Sequence, residues 1–201
     1  MLSQLDNIIF PDSCEVFEVS SQRYVYPIYK NGYSSLSNCG FKVLHNTMLS
    51  KLDMVEIFVR DPIERFASGL DTWIRYNSHL DKDTLIALAG NHLFLNRHYA
   101  PQFHWLVNLR RFTNAKIKIN SIQDLSSVTR LHLNESKNKI HLDLNNYPKV
   151  AFYLQLDKVL TEDLLGKTVS FKLIVQTIKS RYPDVYEEVV QRSINICNVL
   201  G

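Results

Sequence analysis

Cysteine is scarce in this sequence, and its few copies form no pattern. Among the 201 residues there are three cysteines, Cys14, Cys39 and Cys197, and they lie far apart. An odd and scattered set argues against a disulfide framework and lacks the close Cys pairs of a zinc site. We therefore expect a reducing compartment. The order of His, Asp and Glu residues shows no metal-ligand spacing either, so no metal is expected.

Long apolar runs are also missing. No stretch approaches the ~20 apolar residues that a membrane-spanning helix needs, and residues 1–6 lack the basic and apolar regions of a secretory signal. These features predict a soluble, cytoplasmic protein without membrane insertion. Glycine and proline number six each and are scattered, without repeats or linkers. We expect a single domain over residues 1–201.

Charge of either sign is moderate, since 23 Lys and Arg residues against 20 Asp and Glu give a net charge of +3. This small excess does not indicate nucleic-acid binding but suits an anionic small ligand. The charge is uneven, because no Asp or Glu occurs from Thr84 to Gln123. The same stretch carries Arg97, Arg110, Arg111, Lys116 and Lys118. Such a stretch is typical of a solvated basic surface, and beside an active site it would favour an acidic acceptor.

Strand and helix signals alternate along the chain, which predicts an α/β layered fold. Residues 23–29 are rich in aromatic and β-branched types and indicate a strand. Residues 54–59 are almost continuously apolar, as in a parallel strand covered on both faces. Asp61 is a good N-cap and Pro62 a good first helical residue, so a helix is predicted over residues 62–76.

Weaker signals place the remaining elements. Helices are predicted over residues 84–95 and from Pro101 onward, and strands over residues 115–119 and 128–133. Residues 145–148 indicate a loop. The C-terminal part, residues 161–196, is predicted to be helical, with segments over residues 161–165, 171–181 and 185–192.

One turn carries the residue types of a phosphate cradle. It follows the first predicted strand and contains Lys30, Asn31, Gly32, Tyr33, Ser34 and Ser35. Lysine supplies a positive charge, glycine lets the backbone come close to a ligand, and a following helix start favours anions. The turn is not a Walker A loop, because its lysine precedes its only glycine. Alone, it is equally typical of a plain surface turn.

A second polar element follows the apolar strand over residues 54–59. Arg60 comes directly after that strand, and Ser68 lies two helical turns further on. Parallel sheets bind ligands at the carboxyl ends of their strands. An arginine fork with a nearby hydroxyl suits a terminal phosphate group.

Together these elements resemble the two signatures of sulfotransferases that use 3′-phosphoadenosine 5′-phosphosulfate (PAPS). The run Val-Arg-Asp-Pro-x-x-Arg-x-x-Ser around Arg60 and Ser68 is closest to carbohydrate sulfotransferases of the chondroitin, dermatan and uronyl types. Two further segments resemble the same branch: Arg97-His98-Tyr99-Ala100-Pro101-Gln102 and Leu133-Asn134-Glu135-Ser136. The resemblance covers roughly residues 24–136. The family usually has a proline directly before this lysine, whereas Pro27 lies three residues before Lys30. Tyr33 stands where the family commonly has a small residue.

The resemblance implies a P-loop nucleotide-kinase-like fold with a central parallel sheet flanked by helices. It implies transfer of a sulfuryl group from PAPS to a hydroxyl or amine of an acceptor, such as a carbohydrate, leaving 3′-phosphoadenosine 5′-phosphate (PAP). Lys30 would stabilise the leaving group and the rest of its turn would hold the phosphosulfate, while Arg60 and Ser68 would hold the 3′-phosphate. The acceptor must also lose a proton to a catalytic base. His98 is the first candidate for this base and His45 the second.

Two other functions stay open at the level of sequence. A nucleotide-dependent phosphotransferase would share the α/β architecture, but it would need a Walker-type loop. A non-catalytic module that binds an adenine nucleotide or an anionic glycan would keep Arg60 and Ser68 without needing Lys30. The sequence does not indicate the oligomeric state.

Overall fold

A mixed sheet with helices packed against it organises the chain in the computed structural model, which describes residues 13–91, 96–129 and 143–199. The strands of these residues are β1 (Glu15–Ser20), β2 (Arg23–Val25), β3 (Lys42–His45), β4 (Met54–Val59), β5 (Lys116–Ser121) and β6 (Thr168–Val169). Their order across the sheet is β3-β1-β2-β4-β5-β6. The predicted α/β class is confirmed. The sheet is not parallel throughout, because only β2–β4 and β4–β5 pair in parallel.

The antiparallel part of the sheet was not predicted. Strand β1 pairs with both β2 and β3, and β6 pairs with β5 at the opposite edge. These strands are short, exposed on at least one side or rich in polar residues. Their positions depend on pairing with distant segments, which a local sequence pattern does not reveal.

The helices of the described residues are α1 (Tyr33–Ser37), α2 (Pro62–Tyr76), α3 (Lys82–Asn91), α4 (Gln102–Arg110), α5 (Pro148–Lys158), α6 (Phe171–Arg181), α7 (Pro183–Val185) and α8 (Gln191–Val199). Short 3₁₀ turns cover Asn46–Lys51, Ile122–Ser127 and Leu144–Asn146, and π turns cover Val159–Asp163 and Tyr186–Val190.

Strand β4 and helix α2 have the predicted bounds. The carboxylate of Asp61 accepts a hydrogen bond from the backbone N–H of Glu64 at 2.8 Å, and Pro62 is the first helical residue. The helix buries Phe66 and Leu70 against the core. These local signals agreed with one another, and they fix where the chain leaves β4 and enters α2.

Other predictions were wrong because burial overrides local polarity. Helix α4 begins after Pro101 as predicted, but all of its residues from Gln102 to Leu109 are buried. The polar residues of this stretch are buried as well, and His104 is only 7% exposed. Helix α5 was not predicted, and the expected loop at residues 145–148 is a 3₁₀ turn leading into it.

The strand predicted over residues 128–133 is absent in the part that the structure describes. Val128 and Thr129 follow a 3₁₀ turn and are not in a strand. Residues 130–133 lie outside the described residues, as does the segment Leu133-Asn134-Glu135-Ser136. Helix α3 starts two residues before the predicted helix, and residues 92–95 of that prediction are likewise outside.

The topology brings two chain segments to one edge of the sheet. Strands β2 and β4 are parallel neighbours, with Val25 opposite Glu56, and the N–H of Tyr26 donates to the carbonyl of Glu56 at 2.9 Å. The carboxyl ends of both strands therefore meet at the same edge, and Lys30 and Arg60 follow them. Among the described residues, no helix is long and apolar enough to cross a membrane.

Candidate functional site

Lys30 occupies a conformation that a lysine rarely adopts. Its φ of 69° lies in the left-handed region, which costs an L-residue about 1 kcal/mol. The guanidinium of Arg60 donates through Nη1 to the Lys30 carbonyl at 3.4 Å. The Lys30 ammonium donates to the hydroxyl of Thr72, and that hydroxyl donates to the carbonyl of Ser68 at 3.2 Å. The Lys30 side chain therefore lies along α2, within one turn of Ser68.

The rest of the Lys30 turn presents backbone and hydroxyl groups. Helix α1 begins directly after Gly32, whose φ of 82° suits glycine. Ser34 is exposed and Ser35 half-buried, and neither hydroxyl has a hydrogen bond to a described residue. Asn31 instead points inward and is 1% exposed. The backbone N–H of Asn31 donates to the carbonyl of Ile28 at 3.0 Å, so both its side chain and its N–H are engaged within the protein.

Arg60 directly follows strand β4, as predicted from the sequence. Its Nη2 donates to the carboxylate of Glu64 at 3.1 Å, and its side chain is 25% exposed. A guanidinium has five N–H donors, and its recorded hydrogen bonds to Lys30 and Glu64 engage only Nη1 and Nη2. Ser68 is half-buried on the face of α2 that also carries Thr72. The two motifs thus share one edge of the sheet and one face of α2.

His98 packs beside the same turn. Its ring meets Tyr29 edge-on, with centroids 5.6 Å apart. The side-chain oxygen of Asn96 accepts from the His98 backbone N–H at 2.9 Å and contacts Nδ1 at 2.9 Å. Because that oxygen only accepts, Nδ1 carries the proton, which leaves Nε2 as the nitrogen able to take one. Burial lowers the pKa of His98 to about 4, and the charges of Lys30, Arg97 and Arg65 add to the effect.

His45 is differently placed. It ends strand β3 at an edge of the sheet, is exposed, and lies with Nδ1 3.9 Å from the carboxylate of Glu15. The structure records no contact between His45 and either Lys30 or Arg60 within the described residues. Of the two candidate bases, His98 is the one that lies near Lys30.

Sequence reasoning missed Arg65 as a residue that builds the site. Arg65, which was not among the predicted site residues, is 1% exposed. Its Nε donates to the carbonyl of Tyr29 at 3.1 Å, and Nη1 donates to the carbonyl of Ala100. Arg97 lies over the Tyr29 ring at 4.7 Å. The helical spacing of Arg65 with Pro62 and Gly69, which are both buried, was the available signal.

The site is therefore rich in positive charge. Burial lowers the pKa of the Lys30 amine, and the charge of Arg75 lowers it further, while Asp71 opposes the shift. Among the described residues, the cations outnumber the nearby carboxylates, which are Glu64, Asp71 and Asp157. Cations held close together in such excess are stabilised when an anion binds among them. This electrostatic arrangement suits a ligand with more than one negative group.

No protein-family model matches this chain, and no curated protein or solved structure matches it either. The residues and geometry of the site are therefore the basis for its function.

The pKa of His98 gives a test of this geometry. In the free protein the imidazole should stay neutral as the pH falls from 7 and should take up its proton only near pH 4. An anion bound among these cations should raise this pKa, because its negative charge offsets those of Lys30 and Arg97. The titration can be followed by NMR, with His98→Gln used to assign the signal.

The same titration in Lys30→Met serves as a control. That variant should have a higher His98 pKa than the unaltered chain, yet one still below 6.5, since burial remains the larger cause. A His98 signal that titrates near pH 6.5 in the free, unaltered protein would contradict the described packing.

Proposed function

We propose that this chain is a PAPS-dependent sulfotransferase, and that its acceptor is a hydroxylated compound such as a carbohydrate. The observation that carries the proposal is the contact between the two motifs. Arg60 donates to the carbonyl of Lys30, so the two predicted anion-binding elements adjoin one another at the ends of parallel neighbours β2 and β4. A donor with two separated anionic groups needs such a pair.

The proposed roles follow from the chemistry of each group. Ser34, Ser35 and the first backbone N–H groups of α1 would hold the 5′-phosphosulfate, since the first amides of a helix have no partner within it. Arg60 and Ser68 would hold the 3′-phosphate, with the guanidinium sharing its donors between ligand and Glu64. Lys30 lies near Ser68, and its charge lowers the pKa of His98. Its ammonium would therefore lie between the groups that hold the donor and His98, the proposed base.

The proposed transfer needs no reactant besides PAPS and the acceptor. The acceptor oxygen forms a bond to sulfur, and the bond between sulfur and the bridging oxygen breaks. The electron pair of that bond goes to the PAP phosphate, where Lys30 would stabilise the charge. The acceptor proton goes to Nε2 of His98. At a pKa of about 4 the free imidazole is a weak base, and the anionic donor would bring it nearer neutrality.

Binding selectivity tests this proposal. By calorimetry, PAP should bind more tightly than ATP with Mg²⁺ or AMP, because only PAP places phosphates at both motifs. Arg60→Ala should lower the affinity for PAP by about 10- to 100-fold, as expected for loss of charge-assisted hydrogen bonds. Arg181→Ala removes the same charge from an exposed pair with Glu162 and Asp163, and it should leave PAP affinity unchanged.

Two binding results would contradict the proposal. One is a preference for ATP with Mg²⁺ over PAP, which would favour the phosphotransferase. The other is PAP binding that tolerates Arg60→Ala as well as it tolerates Arg181→Ala. Tight PAP binding without transfer from labelled PAPS to any member of a sugar and phenol panel would favour the non-catalytic module.

A further inference from the structure

A single buried side chain joins the two loops of the candidate site. Gln102, at the start of α4, is fully buried. Its Oε1 accepts from Asn31 Nδ2 at 2.6 Å and from the Arg60 backbone N–H at 3.1 Å. Its Nε2 donates to the Arg60 carbonyl at 3.0 Å. One amide thus satisfies both backbone groups of Arg60 and also binds the residue next to Lys30.

The opposite end of this connection lies in the C-terminal part of the chain. Asp157 in α5 is fully buried, and its carboxylate accepts from the backbone N–H groups of Gln102 at 2.7 Å and Phe103 at 2.9 Å. These are the first amides of α4, which have no acceptor within the helix. Asp157 therefore fixes the point at which α4 begins, and with it the position of the Gln102 side chain.

A third contact ties the same residues from the side of α2. Arg65 donates to the carbonyls of Tyr29 and Ala100, which precede Lys30 and Pro101. Burial lowers the pKa of Arg65 and raises the pKa of Asp157, and the opposite charge of each residue partly offsets the shift of the other. The Lys30 turn, Arg60 and α4 are in this way held by one buried polar network.

We propose that Gln102, held by Asp157, is a positioning residue that fixes the separation between the Lys30 turn and Arg60. The inference deepens the proposed function and rests on it. A ligand with two anionic groups gains from two sites at a fixed distance, because its second group binds at high effective concentration. A ligand with one group gains nothing from that distance. Gln102 thereby favours bisphosphates over monophosphates.

Replacing Gln102 by leucine removes the hydrogen bonds and keeps the approximate volume. PAP affinity should fall by about 10-fold or more, whereas the affinities for 3′-AMP and 5′-AMP should each change by less than about 2-fold. The matched control is Gln155→Leu, which makes the same change at a half-buried position of α5. A purely structural role would lower thermal stability and leave the ratio of PAP to monophosphate affinity as it is.

A second measurement needs no ligand. Hydrogen exchange in Gln102→Leu should rise together in peptides covering residues 28–36 and 58–62, and Asp157→Asn should give the same paired increase. Gln155→Leu should not. If only one segment responds, or if PAP and both monophosphates weaken equally in Gln102→Leu, Gln102 does not couple the loops.

The binding measurement and the hydrogen-exchange measurement distinguish a failure of this inference from a failure of the proposed function. If the unaltered chain binds PAP no better than the monophosphates, the sulfotransferase proposal fails, and hydrogen exchange still decides whether Gln102 links the loops. If the unaltered chain prefers PAP and Gln102→Leu keeps that preference, only the positioning role is overturned. Asp157→Asn carries the same binding test should Gln102→Leu fail to fold.

Discussion

Lys30→Met should reduce sulfuryl transfer by about 10²- to 10³-fold, the usual cost of removing one group that stabilises transition-state charge. PAP affinity should change by less than about 5-fold. The variant removes the ammonium, but the Lys30 carbonyl that accepts from Arg60 stays in place. Turnover would be measured with labelled PAPS and whichever sugar or phenol gives the highest rate with the unaltered chain.

Thr72→Val is the matched control for this experiment. Thr72 is 8% exposed and its hydroxyl accepts from the Lys30 ammonium, so valine removes the partner and leaves the charge. Its transfer rate should fall much less than that of Lys30→Met. If both variants lose activity equally, the hydroxyl positions the lysine. If Lys30→Met retains most of its activity, Lys30 has no part in the chemistry.

The backbone of Lys30 is held in a conformation that costs free energy. A plain surface turn would favour glycine or asparagine at a φ of 69°. A lysine held there by Arg60 and Thr72 retains a conformational cost that neighbouring contacts must offset. Strain of this kind accumulates at functional sites, and the sequence alone gave no sign of it.

The sequence predicted most reliably those elements whose signals are local. Strand β4 and helix α2 have the predicted bounds, because a continuous apolar run, an N-cap and a first-turn proline all lie within a few residues. Strands β1, β3 and β6 were missed, since their stability comes from pairing with distant segments. Helix α5 was missed because its buried face includes Asp157 and its other side also carries apolar residues, Ala151 and Phe152, so no clear apolar stripe is visible in the sequence.

The candidate site divides in the same way. Lys30, Arg60 and Ser68 were found because their residue types follow predicted strands at typical spacing. Arg65, Gln102 and Asp157 were missed as members of the network, because a buried polar side chain is defined by partners far along the chain. Gln102 lies 71 residues from Asn31 and 55 from Asp157. No local pattern reports such distances, and only the packed structure brings these groups together.

Gly69→Ala should strongly destabilise the fold. A Cβ atom at this position would lie 2.1 Å from the carbonyl oxygen of His98 and 2.9 Å from the Cα of Tyr99. Both are backbone atoms, so no side-chain rotation relieves the clash. Helix α2 and the segment before α4 must move apart, at a cost of about 3 kcal/mol in the free energy of unfolding. The melting temperature should fall by about 10 °C.

Gly90→Ala is the matched control, because it adds the same methyl group to another helix. Its Cβ would lie 3.6 Å from the ring of Tyr147, an ordinary contact, and alanine favours a helix by about 1 kcal/mol over glycine. Urea and thermal unfolding should therefore show Gly90→Ala to be at least as stable as the unaltered chain. Equal stability of Gly69→Ala would mean that α2 does not approach His98 so closely.

The consequence of Gly69→Ala for the site follows from the same geometry. Helix α2 carries Ser68 and Thr72, and the segment that it contacts carries His98. Only a residue without a side chain lets these two backbones meet. Separating them should expose the imidazole to water and move it away from the Lys30 ammonium, so that the pKa of His98 rises from about 4 toward the ordinary histidine value. An unchanged His98 titration in a destabilised Gly69→Ala would show that this contact supports the fold alone.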